Sequence, residues 1–224
     1  MHLLFDLDGT LTDSFPGISH SVNHALVDVG REPVSDAQLR PLVGAPLRTI
    51  FNTLLGPADL VVMKRVIATY RARFDEVGIF ENRVFPGIPE ALAAFRTSGH
   101  TLQVVTARSA ASARHVVRHF ALEGYFEAVH GPEAADHACD KADLVLAALR
   151  MKGASADEAV MIGDRGDDIR AARAHGVRAI AVRWGYGAPP EIAAAAPHFV
   201  AETVADLVAW IQSVDRLDVN ELRT

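Results

Sequence analysis

The sequence lacks the features that mark several large protein classes. Its 224 residues include one cysteine, Cys139, so an intramolecular disulfide framework is ruled out and the chain fits a reducing compartment. No apolar run approaches the ~20 residues of a membrane span. The N-terminal stretch MHLLFDLDG has neither the basic region nor the long apolar segment of a secretion signal, and the expected location is cytoplasmic. Lys and Arg number 22 against 28 Asp and Glu, a net charge of −6. That balance argues against a nucleic-acid binder, because phosphate backbones are held by clustered cations. It leaves room for a small phosphorylated substrate, which needs only local positive charge or a metal ion. The sequence also has no G-x-x-x-x-G-K-[ST], no G-x-G-x-x-G and no G-x-S-x-G, which weakens nucleoside-triphosphate, dinucleotide and serine-hydrolase readings.

What is present is an ordinary globular composition, 50% hydrophobic and 22% charged, enough for one large domain or two small ones. The informative stretch lies at residues 3–14, LLFDLDGTLTDS. A short apolar run that stops abruptly at polar, Gly-containing sequence predicts a buried strand ending in a tight turn. If the extended backbone persists through Asp8, Asp6 and Asp8 lie on one face of the strand's carboxyl end, and their repulsion calls for a cation. Asp-Gly is also a common turn pair, with Asp8 bonding its own backbone, and the stretch alone leaves both readings open.

Further along, TLQVV (101–105), FEAVH (126–130), EAVMI (158–162) and RAIAV (178–182) predict short buried strands. Helical patterns separate them: IPEALAAFRTSG, ARHVVRHFAL, KADLVLAALRM and DIRAARAHG. Strands alternating with helices predict an α/β fold built on a Rossmann-like, mostly parallel sheet, with ligands at the strands' carboxyl ends. More than ninety residues separate the first strand from Thr101, whereas one crossover needs only about a dozen. Residues 15–83 read as helical throughout, with Ser14 as an N-cap and a Ser35/Gln38 capping box. The expected organisation is therefore an α/β core of residues 1–14 and 84–224 carrying an inserted α-helical domain of residues 15–83. The Ala-rich EIAAAAP reads as a surface helix, and the tail VDRLDVNELRT is expected to fray.

Polar residues cluster where the strands end. The LQVV run leads into Thr106, Ala107 and Arg108; AVMI leads into GDRGDD, with Asp164, Asp167 and Asp168; and a helix between them opens on Lys141. Ten histidines include His20/His24 and His115/His119 at zinc-ligand spacing, but neither pair has an acidic partner motif, and both are expected on solvated helix faces.

Taken in order, Asp6-Leu7-Asp8-Gly9-Thr10, Thr106, Lys141 and Gly163-Asp164 with Asp168 resemble the four motifs of the haloacid dehalogenase (HAD) superfamily of phosphohydrolases. The stretches VFPGIPEAL, GDRGDDIRAARAHG and WGYG resemble its phosphoglycolate-phosphatase-like subgroup, in which a helical cap follows the first strand. The resemblance implies a Mg²⁺-dependent phosphatase acting on a small phosphomonoester through an aspartyl-phosphate. Phosphoglycolate is the first expectation for the substrate; a nucleoside 5′-monophosphate, or a sugar phosphomutase of the β-phosphoglucomutase type, is the alternative. Asp6 is then the nucleophile and Asp8 the acid and base. Gly9, Thr106, Ala107 and Lys141 hold the phosphate; Asp6, the Asp8 carbonyl and Asp164 hold the metal; Asp168 orients Lys141 or a metal-bound water.

The sequence departs from that subgroup in two places. Ala107, Arg108 and Ser109 follow the second-motif Thr where relatives often have Ser-Lys-Pro or Asn-Lys-Pro, and the approach to Lys141 lacks their glycines. Arg108, Arg40 and Arg48 are candidate contacts for a substrate anion, the last two flanking the loop RPLVGAPLR. The expected partners are a small phosphorylated metabolite, no nucleic acid and no membrane, with the chain a monomer or homodimer.

Overall fold

The computed structural model describes residues 1–57, 59–133 and 139–221, with residues 215–221 described by backbone alone. Six strands form one parallel sheet: β1 (His2–Phe5), β4 (Thr101–Val105), β5 (Ala128–His130), β6 (Ala159–Gly163), β7 (Arg178–Val182) and β8 (Phe199–Ala201), in the order β5-β4-β1-β6-β7-β8. A two-stranded antiparallel ribbon, β2 (Thr12–Asp13) with β3 (Arg83–Val84), stands apart from the sheet.

The strands are apolar on both sides because both faces are covered. Leu3 and Phe5 point into one core with Val104, Ile162, Ile180 and Phe95, whereas Leu4 points into the other with Val105, Met161, Val145 and Ile169. This is the two-residue alternation of a strand, here apolar in both phases.

Between β2 and β3 the chain is helical: α1 (Phe15–Asp28), α2 (Asp36–Leu39), α3 (Leu47–Leu55), α4 (Leu60–Arg73) and α5 (Ile79–Glu81). The ribbon pairs Thr12 with Val84 and Asp13 with Arg83, so the entry and exit of this helical segment run side by side. Ser35 and Gln38 form the expected capping box at α2, and Asp59 caps α4 through the amides of Val61 and Val62. α4 continues through a π turn, Phe74–Gly78, into α5. At that turn Gly78 lies against Gly17 of α1, whose position leaves no room for a Cβ beside the Gly78 carbonyl.

The remaining helices, α6 (Ile88–Thr97), α7 (Ala110–His119), α8 (Lys141–Lys152), α9 (Gly166–Arg173), α10 (Pro189–Ala195) and α11 (Val204–Glu221), link and cover the sheet. The five strands expected from the sequence are present, β5 and β6 shifted by one or two residues at their ends; β8 was not expected. The tail is helical to Glu221, and residues 222–224 lie outside the described residues. None of the helices is long and apolar enough to cross a membrane among the described residues.

Candidate active site

The site is built on the carboxyl ends of three adjacent strands, β4, β1 and β6, where ligands of open α/β sheets gather. Asp6 follows β1 directly, its amide still donating to the Ile162 carbonyl of β6 at 2.9 Å. Asp164 follows β6, and Thr106 follows β4. Asp168 lies in the first turn of α9, where its carboxylate accepts from the Arg165 amide at 2.9 Å. The Asp6, Asp164 and Asp168 carboxylates are buried and have oxygens within 4.8 Å of one another. Lys141, the first residue of α8, reaches into this group, with Nζ 2.9 Å from Asp6 and in contact with Asp168. Five residues before Lys141, 134–138, lie outside the described residues, so the approach to it that departs from relatives is not on view.

The extended backbone expected through Asp8 is not what forms. At Leu7 the chain turns, and the Leu7 carbonyl accepts from the amides of Leu11 and Thr12 at 3.0 Å. The turn sends the two acids to different cations: Asp6 to Lys141, and Asp8 to Arg108, whose Nε and Nη2 each donate to one Asp8 oxygen at 2.9 Å. Asp8 is therefore neither a self-capped turn residue nor a member of the carboxylate cluster. Arg108, a candidate contact for a substrate anion, lies under the helical segment, its guanidinium 4.3 Å from the Phe74 ring centroid.

Gly9 has φ of +87°, and a Cβ there would run into the Asp164 carboxylate, so the turn needs glycine both for its conformation and for its closeness to Asp164. Thr10 Oγ1 donates to Asp164 at 3.3 Å and the Tyr186 amide donates to it at 2.7 Å. Thr106 is buried and its hydroxyl accepts from the Arg108 amide at 3.2 Å, while Ala107 is exposed. Arg40 and Arg48 are exposed; Arg40 stacks over the Phe15 ring at 4.1 Å, and neither joins the acids. Neither histidine pair belongs to the metal-compatible cluster found among the described residues; His20 bonds Glu81 and His119 packs on Phe80.

Burial raises the Asp6 carboxyl well above the usual carboxylate range; Lys141 opposes the shift, and Asp168 and Asp8 add to it. Asp164 is raised for the same reason, with Asp168 and Asp6 reinforcing it. Burial alone would lower the Lys141 ammonium, but Asp168 and Asp6 reverse this and hold it charged. When all three acids are ionised, one ammonium against three carboxylates leaves buried negative charge uncompensated, in an all-oxygen site. Such a donor set suits a hard divalent cation.

Two contacts at this site had no sequence signal of their own. Arg165, between Asp164 and α9, bonds Glu191 of α10 at 2.9 Å and the Val43 carbonyl of the helical segment. Tyr186, in the WGYG stretch, bonds both Asp164 and the start of α1.

Residues 3–182 match the haloacid dehalogenase-like hydrolase family. The chain belongs to that family. A 5′-nucleotidase of Pseudomonas aeruginosa is 40% identical over 205 residues, covering 91% of this chain and 92% of the relative. The tyrosine-protein kinase PtkA of Mycobacterium tuberculosis is 35% identical over 217 residues, covering 96% and 70%. A phosphoglycolate phosphatase of Agrobacterium fabrum is 32% identical over 197 residues, covering 84% and 83%. The crystal structure of a predicted phosphatase from Clostridium acetobutylicum superposes with a TM-score of 0.87 at 32% identity, covering 95% of this chain and 98% of that one.

Proposed function

We propose that the protein hydrolyses a small phosphomonoester in two steps through an aspartyl-phosphate on Asp6, with Mg²⁺ as its cofactor. The observation that carries this reading is the convergence of Asp6, Asp164, Asp168 and Lys141 at the ends of β1 and β6, with Asp8 two residues past the nucleophile. In the first step an Asp6 oxygen attacks phosphorus, the ester P–O bond breaks, and Asp8 gives its proton to the leaving oxygen. In the second, Asp8 takes a proton from water as that water attacks phosphorus, the bond to Asp6 breaks, and phosphate leaves. Delivering the proton requires one of the two Arg108 bonds to Asp8 to open.

Asp6, the Asp8 carbonyl and Asp164 hold the metal in this reading, with Asp168 holding Lys141. When bound, Mg²⁺ supplies charge neutralisation for the phosphate and keeps Asp6 ionised against the effect of burial. Lys141, the Thr106 hydroxyl and the Ala107 amide hold the phosphate oxygens, which is where most of the stabilisation of phosphoryl transfer arises; the Gly9 amide, expected among them, donates to the Thr12 carbonyl at 2.8 Å. Residues 15–83 act as a cap that opens about the Thr12–Asp13/Arg83–Val84 ribbon, excluding water when closed.

For the substrate, a nucleoside 5′-monophosphate has the better support. The 5′-nucleotidase relative is similar over almost the whole of both chains. In addition, Arg108, the contact expected for a glycolate carboxylate, is engaged by Asp8. Phosphoglycolate is the second reading, favoured by the phosphoglycolate phosphatase relative. The test is phosphate release from nucleoside 5′-monophosphates, phosphoglycolate, sugar phosphates and pyrophosphate, with and without Mg²⁺. Mg²⁺-dependent turnover led by the nucleotides supports the first reading and turnover led by phosphoglycolate the second. No release from any of them by the folded protein overturns both.

A further inference from the structure

Helix α1 begins without a cap of its own. Ser14 occupies the N-cap position, but its side chain makes no capping bond, because its hydroxyl pairs with Thr12 Oγ1 at 2.9 Å. The first amides of a helix have no partners within it and must find an acceptor elsewhere. Here the main acceptor comes from 172 residues away: the Tyr186 hydroxyl oxygen accepts from the Ser14 amide at 2.7 Å and the Phe15 amide at 3.0 Å, the latter shared with Asp13 Oδ1 at a longer 3.4 Å. The same hydroxyl donates to Asp13 Oδ1 at 3.0 Å, and the other Asp13 oxygen accepts from Arg83 of β3 at 2.8 Å. One phenol thus holds the chain's entry into the helical segment, and through Asp13 its exit. The hydroxyl is raised far above the usual tyrosine range by burial and by Asp13, so it stays a donor.

The backbone of this same residue serves the acid cluster. The Tyr186 amide donates to Asp164 Oδ2 at 2.7 Å, and the Trp184 indole donates to the Thr10 carbonyl at 3.0 Å. At Gly185 a Cβ would run into Asp164 and the Gly9 carbonyl, so the segment lies tight against the turn that carries Asp8. A short, closely packed stretch with bonds at both ends transmits displacement rather than absorbing it.

We infer that Tyr186 is a positioning residue that couples the setting of the Asp164 carboxylate to the hinge of the helical segment, its amide fixing the acid and its hydroxyl capping α1. The inference rests on the reading of residues 15–83 as a moving cap and of Asp164 as a metal ligand. By reciprocity, whatever holds Asp164 in place steadies the hinge, and closing the hinge steadies Asp164.

Tyr186→Phe deletes the hydroxyl and keeps the ring, its 6.2 Å approach to Phe15, and the amide bond to Asp164. Amide hydrogen exchange read residue by residue is the measurement. In magnesium-free protein, exchange at Ser14 and Phe15 is expected to quicken about tenfold, as for loss of a helix cap, with β1 and β6 unchanged. In the wild type Mg²⁺ slows exchange at these two amides, and in Tyr186→Phe it does not. Among phosphomonoesters turned over by the wild type, KM rises by more than kcat falls. Equal exchange at Ser14 and Phe15 in the two magnesium-free proteins overturns the inference, as does equal slowing by Mg²⁺ in both. If Mg²⁺ leaves wild-type melting unmoved, the metal reading fails, and the magnesium-free comparison still decides the hinge contact. Should Tyr186→Phe not fold, Asp13→Ala, which removes the phenol's acceptor and the Arg83 bond, is expected to quicken the Ser14 amide, which Asp13 itself does not hold. Unchanged exchange in that variant overturns the inference.

Discussion

Both oxygens of the Asp8 carboxylate are held by one guanidinium, that of Arg108, with side-chain exposures of 13% and 10%. A fork-to-fork pair so nearly dry is strong in geometry but expensive to break from one side. Arg108 is itself pinned by the Phe74 ring, and its Nη1 donates to Ser112 at 3.4 Å, whose hydroxyl in turn donates to Asp75 at 3.2 Å. The acid two residues past the nucleophile is therefore oriented by a side chain that also touches the helical segment.

Arg108→Ala is expected to destabilise the fold by about 1–3 kcal/mol, because it leaves Asp8 partly buried without its cation. Activity should fall at least about tenfold as Asp8 loses its orientation. Arg108→Lys recovers the charge but not the two-pronged geometry, so it should restore stability more than activity. Asp8→Asn should lose turnover more severely, and phosphoenzyme formed by it should persist, since no base activates water. Chemical denaturation, steady-state rates and acid-quench trapping of the phosphoenzyme check these outcomes. Normal turnover by Asp8→Asn would remove Asp8 from the chemistry.

The pH dependence of stability has a definite sign. Burial raises Asp6 to about 7 and Asp164 to about 8. Between the ordinary carboxylate range and these values the folded chain binds more protons than the unfolded one. Stability from these groups is thus fully present below the ordinary carboxylate range and declines as pH rises from there, by up to about 1.4 kcal/mol per pH unit for each proton, until it is gone above about 7 for Asp6 and about 8 for Asp164. His2 and His130 are lowered from their usual value, chiefly by burial, so they contribute with the opposite sign up to the ordinary histidine range and offset part of the fall there. Urea midpoints without metal should fall from about pH 5 to about 8 and level off above that, and Mg²⁺ should offset the fall by binding the ionised acids. A flat profile would mean that Lys141 keeps both acids ionised throughout.

The strand ends were legible because apolar runs stop at Asp6, Thr106 and Asp164, a local change that needs no knowledge of the fold. Their convergence followed from parallel-sheet geometry. What the sequence hid were pairings fixed only by tertiary approach. Nothing near Arg108 marks it as the partner of Asp8, a hundred residues away. Likewise, Ser14 looked like a self-sufficient cap because the competing Thr12 hydroxyl and the distant phenol leave no local pattern. β8 was missed because Phe199–Ala201 is a short edge strand, partly exposed and preceded by an Ala-rich helix.

Arg165→Ala removes a side chain that joins Glu191 to the Val43 carbonyl, while its amide bond to Asp168 survives. The effect should therefore fall on the segment around Val43, the stretch from which substrate contacts were expected. KM should rise several-fold with kcat much less affected, as for loss of binding that is uniform along the reaction. Glu191→Gln should act in the same direction, and the double variant should be no worse than Arg165→Ala alone. Additive losses would mean that the two residues work separately.

Asp6→Asn is the decisive substitution for the nucleophile. Asparagine is nearly isosteric, and Lys141 keeps its bond to Asp168, so the fold should be retained with a melting temperature close to that of the wild type. One carboxylate fewer also lessens the repulsion among the three buried acids. An amide cannot form the acyl-phosphate, so turnover should fall at least about a thousandfold and no phosphoenzyme should be trapped. Stability and rate should thus move apart, which separates loss of chemistry from loss of structure. Activity within tenfold of the wild type, in a protein whose far-UV circular dichroism is unchanged, would exclude Asp6 as the attacking group.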